Sequence, residues 1–120
     1  MPFEYVLANL IANNQRAVGA LFLDGSGETV ELACAEFTPY QMRIIGAYLG
    51  IHLRQLGKVL ADGALGTPRF VHVEKDELHL HALPLPDGYY LVLVQRRPSL
   101  VARARATLLD AGEQLRREVF

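Results

Sequence analysis

The chain has 120 residues, about half of them apolar and 21% charged, with 12 Lys and Arg against 13 Asp and Glu for a net charge of −1. That length forms a single domain, 1–120, with a core of its own, and that composition excludes a disordered chain. The balanced charge gives no field for a phosphate backbone, and no apolar run reaches the ~20 residues of a membrane span, so neither nucleic acid nor membrane insertion is expected.

Phe3, Val6, Leu7, Leu10 and Ile11 recur at helical spacing and predict a first helix ending at Asn13-Asn14. The N-terminus carries Glu4 and no Lys or Arg ahead of its apolar stretch, which is not a signal-peptide pattern. With the lone Cys34 unable to form an internal disulfide, a cytoplasmic location is the expectation. Ala17 to Leu23 is apolar on both faces, Val18, Ala20 and Phe22 on one and Leu21 and Leu23 on the other, so this strand is central. Thr29 to Glu36 is a more peripheral strand, with Val30, Leu32 and Cys34 on its inward face.

Between them, LFLDGSGETVEL poses a choice between a phosphate cradle and a hairpin turn. A cradle needs a helix N-terminus behind it, and here a period-2 strand follows; the Lys-Ser/Thr pair of a P-loop and the third glycine of a dinucleotide fingerprint are both missing. Asp24, Gly25 and Gly27 therefore read as hairpin punctuation.

Thr38 as N-cap, Pro39 behind it and Gln41 three residues on predict a capping-box start for a long helix that ends near Asp62, at Gly63. Met42, Ile45, Leu49, Leu53, Leu56 and Leu60 form a stripe for packing on a sheet. Ile44, Tyr48 and Ile51 form a second apolar stripe on the far side, with Gly46 and Gly50 between the two. Clustered apolar surface of that kind points to burial against a second copy rather than to scattered exposed residues.

RFVHVEK and ELHLHAL flank a turn at Lys75-Asp76, and Asp87-Gly88 turns into Tyr89 to Gln95, again apolar on both faces. The edge strand leaves Phe70, Val71 and Val73 apolar, which invites pairing with another chain. A last helix opens at Pro98-Ser99 with Val101, Ala104, Leu108, Ala111, Leu115 and Val119 along one stripe. Helix, two strands, helix, three strands, helix then implies an α+β (α/β) protein: an antiparallel five-stranded sheet in order 2-1-5-4-3 with helices on both faces.

With the turn at Lys75-Asp76, His72 faces His79, and Glu74, Glu77 and His81 share that side. Three His and two Glu could hold a metal, but an ordinary alternating polar face is the simpler reading and no metal or cofactor is assigned. A pH-sensitive interface is a further reading of the same histidines. His52, beside the sheet-facing stripe, reads as a core histidine, and Cys34 as a buried small hydrophobe. Arg96, Arg97, Arg103 and Arg105 gather at the start of the last helix, as a contact for an acidic partner or a solvated face. The solvated reading suits the distal residues, where Glu113–Arg117 is an i,i+4 pair, and Arg96 and Arg97 stay open between the two. No serine or threonine has a base and orienting group arranged around it, so no catalytic residue is assigned.

The stretches VGALFLDGSGETV, EKDELHLHAL, YYLVLV and RRPSLVARARATLLDAGEQLRREV, in this order, resemble the Roadblock family, which includes the Roadblock dynein light chains and the bacterial MglB-like proteins that serve small Ras-like GTPases. The resemblance covers nearly the whole chain. It implies a profilin-like sandwich, a homodimer or a heterodimer with a related domain built through the third strand and second helix, and regulation or anchoring of a GTPase without chemistry of its own. The expected interface is Ile44, Tyr48, Ile51, Phe70, Val71, His72 and Val73. Two other readings stay open: an adaptor or scaffold subunit, and a sensor of a small ligand or metal.

Overall fold

A computed structural model describes residues 2–120. Helix α1 (Pro2–Ala12) leads into strands β1 (Ala17–Leu23) and β2 (Thr29–Cys34), then helix α2 (Pro39–Asp62). Strands β3 (Val71–Glu74), β4 (Leu78–Pro84) and β5 (Tyr90–Arg96) follow, and helix α3 (Val101–Val119) closes the chain. The sheet order is β2-β1-β5-β4-β3, antiparallel throughout, as the burial pattern of the strands implies.

The doubly apolar strands β1 and β5 are neighbours, and each feeds two cores. Ala20, Phe22, Leu91 and Leu93 pack under α1 and α3 with Leu7, Leu10, Leu108 and Leu115. Val18, Leu21, Leu23, Val92 and Val94 pack under α2 with Met42, Leu49 and Leu53. Val18 departs from simple alternation, which would put it with Ala20. The β1–β5 register shifts between Ala17 and Gly19, and this bulge turns Val18 to the α2 side. Its carbonyl then accepts the N–H groups of Ala35, Glu36 and Phe37, which stops β2 at Cys34.

The Asp24–Gly27 loop is a hairpin turn. The Asp24 carboxylate accepts from the Ser26 amide and hydroxyl and from the Glu28 amide. The Ser26 hydroxyl, foremost, holds that carboxyl below its ordinary range. Gly27 takes φ +87°, which a side chain disfavours. Helix α2 starts on the capping box: Thr38 Oγ1 accepts from Gln41 N at 3.1 Å and Gln41 Oε1 from Thr38 N at 2.9 Å.

Two of the three glycines of α2, Gly46 and Gly50, face the chain's own sheet. A Cβ on Gly46 would sit 3.0 Å from Leu23 Cδ2, and one on Gly50 3.1 Å from Gly27 Cα, so both glycines seat the helix against its own β1 and hairpin turn. Helix α2 consequently lies across β1 and β2. Past Leu53 it runs beyond the sheet, so Leu56 is exposed and Leu60 half-buried, where the periodicity places both inward. His52 is exposed rather than in the core, and on the edge strand β2 both Val30 and Cys34 are exposed because helices cover only its inner residues. On α3 the stripe is buried from Ala104 to Leu115, while Val101 and Val119 at its ends are exposed. Glu113 pairs with Arg116 rather than Arg117, at 4.0 Å.

The β3–β4 hairpin is two residues longer at its turn than a Lys75-Asp76 hairpin. His72 pairs with His81 and Glu74 with His79, so residues 75–77 connect the strands and the turn is closed by Lys75 N donating to Leu78 O at 2.8 Å. A shift of two preserves every residue's face, so His72, His79 and His81 still share a side, that of α3. A buried polar seam ties this side to the chain's start: Gln95 Nε2 donates to the Gln15 carbonyl at 2.8 Å, and Gln95 Oε1 lies 2.8 Å from His81 Nε2.

Two outcomes follow from this packing. Gly50→Val should lower unfolding free energy by about 2 kcal/mol, as overpacking against backbone does, while Gly57→Ala, with open space around its Cβ, should raise it by up to ~1 kcal/mol. Urea titration of both variants checks the pair; equal stability would deny the seat. Gln95→Leu strands a buried imidazole and a carbonyl and should cost about 2–4 kcal/mol in the same assay.

Candidate functional site

The outer face of α2 carries an apolar stripe that no other element covers among the described residues. Ile44 is 39% exposed, Tyr48 64% and Ile51 42%. Tyr40, Leu56 and Val59 are exposed as well, and Tyr40 and Val59 extend the stripe at both ends. Neither was picked out from sequence, although the i,i+4 step from Tyr40 to Ile44 and the eight-residue step from Ile51 to Val59 were visible there.

Beside this helix the sheet stays thinly covered. Since α2 crosses β1 and β2, the same face of β3 and β4 is left with Val71, Leu78 and Leu80 half-buried and Val73 exposed. Strand β3 is at the sheet's edge and, among the described residues, pairs with β4 alone, which leaves its outer backbone groups open to another strand. Of the expected interface residues, Ile44, Tyr48, Ile51, Val71 and Val73 lie on this continuous apolar side. Phe70 and His72 turn the other way. Phe70 packs at the rim of the α3 core with the Arg105 guanidinium 5.5 Å from its ring centre, and His72 stacks on His81.

On the α3 side of the hairpin, alternation brings His72, Glu74, His79 and His81 together. The His72 and His81 rings are centred 4.9 Å apart and those of His72 and His79 5.1 Å. Burial pushes the pKa of His81 down to about 4, so its ring is neutral at neutral pH. His72 Nδ1 lies 3.1 Å from His81 Nδ1, and His79 Nδ1 meets the Ser99 hydroxyl. Glu77, expected on this face, lies in the turn and is not one of the group whose ligand atoms converge.

The arginines near α3 are engaged within the chain. Arg96 forms a two-pronged pair with Glu36, Nε to the carboxylate oxygens at 2.7 and 2.9 Å, and that hydrogen bonding holds the Glu36 carboxyl below its ordinary range. Arg97 donates to the Asp76 carbonyl at 3.2 Å and Arg103 to the Asn13 carbonyl at 2.9 Å. They brace the β3–β4 turn and the end of α1. Among the described residues no helix is long and apolar enough to cross a membrane.

No protein-family model matches the sequence and no curated protein matches it. Solved structures do. The chain is similar to a Roadblock/LC7 domain from Streptomyces avermitilis, 19% identical with a TM-score of 0.83, over 97% of this chain and 96% of that one. It is similar to MglB with a tetrameric arrangement, 16% identical with a TM-score of 0.84, over 97% and 88% of the two chains. MglC from Myxococcus xanthus is 20% identical with a TM-score of 0.73, over 99% and 100%. The element order, the 2-1-5-4-3 sheet and the placement of helices on both its faces are thus those of the Roadblock/LC7 fold.

Proposed function

We propose that the chain is a non-catalytic dimeric module that binds a small Ras-like GTPase and regulates or localises it. The observation that carries this reading is the apolar side made by the outer face of α2 and the open β3 edge. An exposed stripe of Ile44, Tyr48 and Ile51 beside a strand with unpaired backbone is costly in a monomer and is covered at once by a second copy. A twofold axis beside β3 would join the two sheets edge to edge and stack the two α2 helices. One of the fold's solved examples, MglB, has a tetrameric arrangement, so this architecture does self-associate elsewhere.

The GTPase part rests on the likeness to MglB and MglC and on the resemblance seen in the sequence. The mechanism would be differential contact: a dimer surface that fits one nucleotide state of the GTPase shifts its switch loops toward that state. No group of the chain is required to act on the nucleotide.

Light scattering on Ile51→Asp should report half the wild-type mass with an unchanged circular-dichroism spectrum, because a charge on the stripe opposes burial while the monomer tolerates it. A dimer that survives the substitution would place the interface elsewhere. For the partner, the immobilised protein should capture a small GTPase, identified by mass spectrometry, several-fold better with a non-hydrolysable GTP analogue than with GDP. Capture indifferent to nucleotide would favour the adaptor reading.

A further inference from the structure

The histidine cluster on the α3 side of the β3–β4 hairpin has more order than a solvated polar face requires. One ligand atom each from His72, Glu74 and His79 lies within 4.8 Å of the others. The strand geometry produces this directly. His72 and Glu74 are two residues apart on β3 and so share a face, and His79 sits across from Glu74 on β4.

The hydrogen bonds that run from Gln15 through Gln95 orient the protons of His81 and His72. Gln95 Nε2 donates to the Gln15 carbonyl, so Gln95 Oε1 is the atom facing His81 and takes the proton of His81 Nε2. His81 Nδ1 is then an acceptor, and the 3.1 Å contact makes His72 Nδ1–H its donor. The second nitrogen of His72, Nε2, is left with a lone pair. At the other histidine, Nδ1 meets the Ser99 hydroxyl, which can accept its proton. His79 Nε2 is buried and, among the described residues, has no hydrogen-bond partner; it lies 3.3 Å from Glu74 Oε1 without the alignment of a hydrogen bond. With the proton on Nδ1, donated to Ser99, His79 Nε2 turns a lone pair toward the Glu74 carboxylate, an arrangement that a cation between the two relieves.

We propose that His72, Glu74 and His79 form a binding site for one divalent transition-metal ion of the zinc class. Two imidazoles and one carboxylate suit such an ion, and three protein ligands leave a fourth position for water on the exposed side of Glu74. The surrounding groups match what metal-bound histidines use, since each ligand ring has its other nitrogen held: His72 by the His81–Gln95–Gln15 relay, His79 by Ser99. The bound ion cross-links the edge strand β3 to β4. It sits on the opposite sheet face from the apolar side, so the site does not depend on the dimer or on the GTPase reading.

The test uses untagged full-length protein stripped with a chelator and titrated with ZnCl2 alone by isothermal calorimetry, with Co2+ absorption as a second readout. The expected result is one Zn2+ per chain at micromolar or tighter affinity, a rise in Tm on binding, and tetrahedral Co2+ bands. His72→Gln and Glu74→Gln, both at the accessible side of the cluster, should weaken binding by roughly 100-fold and 10-fold, and Ser99→Ala by about 10-fold. His52→Gln, at an exposed histidine away from the cluster, should leave it unchanged. Circular dichroism confirms that each variant is folded. A wild-type chain with no saturable Zn2+ uptake would overturn the site, as would uptake that persists in His72→Gln or is lost in His52→Gln.

Discussion

The seat of α2 on the sheet governs the rest of this molecule. Gly46 and Gly50 bring the helix backbone onto Leu23 and the Gly27 turn, so close that a Cβ at either position would have to push its neighbour aside. That contact commits α2 to the β2–β1 half of its sheet face. A single helix cannot also cover β4 and β3, so this half keeps Val71, Val73, Leu78 and Leu80 wholly or partly open. Because the inner face of α2 is spent on the sheet, the stripe of Ile44, Tyr48 and Ile51 points outward next to the same opening. Open sheet and outward stripe are two consequences of one packing choice.

Strand β3 divides two chemistries. Alternation sends Val71 and Val73 to the α2 side and His72 and Glu74 to the α3 side. The first side is apolar and continues the outer face of α2. The second is polar, partly buried and internally hydrogen-bonded, with a relay that runs from His72 through His81 and Gln95 to the backbone at Gln15. The same four residues thus give the hairpin an apolar face and a polar one, the first proposed here for association and the second for a metal ion. The arginines that could have formed a basic docking patch are drawn inward, to Glu36, to two backbone carbonyls and to the Phe70 ring.

Much of this was legible in the sequence where a local rule decides the outcome. The capping box at Thr38, the Asp24–Gly27 and Asp87-Gly88 turns and the doubly apolar strands all act within a few residues, and the strand order followed from which strands had to be covered twice. The outer stripe of α2 was visible as periodicity. Reading failed where the answer lay in another element. Val18 changed sides because of a bulge against β5, and Cys34 and His52 were exposed because nothing in the fold reaches over them. Gly46 and Gly50 were visible between the two stripes, but that the element they meet is the chain's own first hairpin was not.

The histidines show the division most clearly. Their alternation in the sequence was enough to put them on one face, since a pleat has period two and a register error of two leaves faces intact. Their distances were beyond the sequence, because register is set by where the turn closes, and that is decided by the hydrogen bond from Lys75 to Leu78. So was the orientation of their rings, fixed by Gln95, Ser99 and Gln15 from three separate parts of the chain. By itself the sequence determined the element order, the sheet topology and, outside the bulge at Val18 and the edge strand β2, the faces of the strands, because these follow from local periodicity and capping. Only the tertiary structure decided which half of the sheet stays bare and which nitrogens converge, because both depend on contacts between residues far apart in the chain.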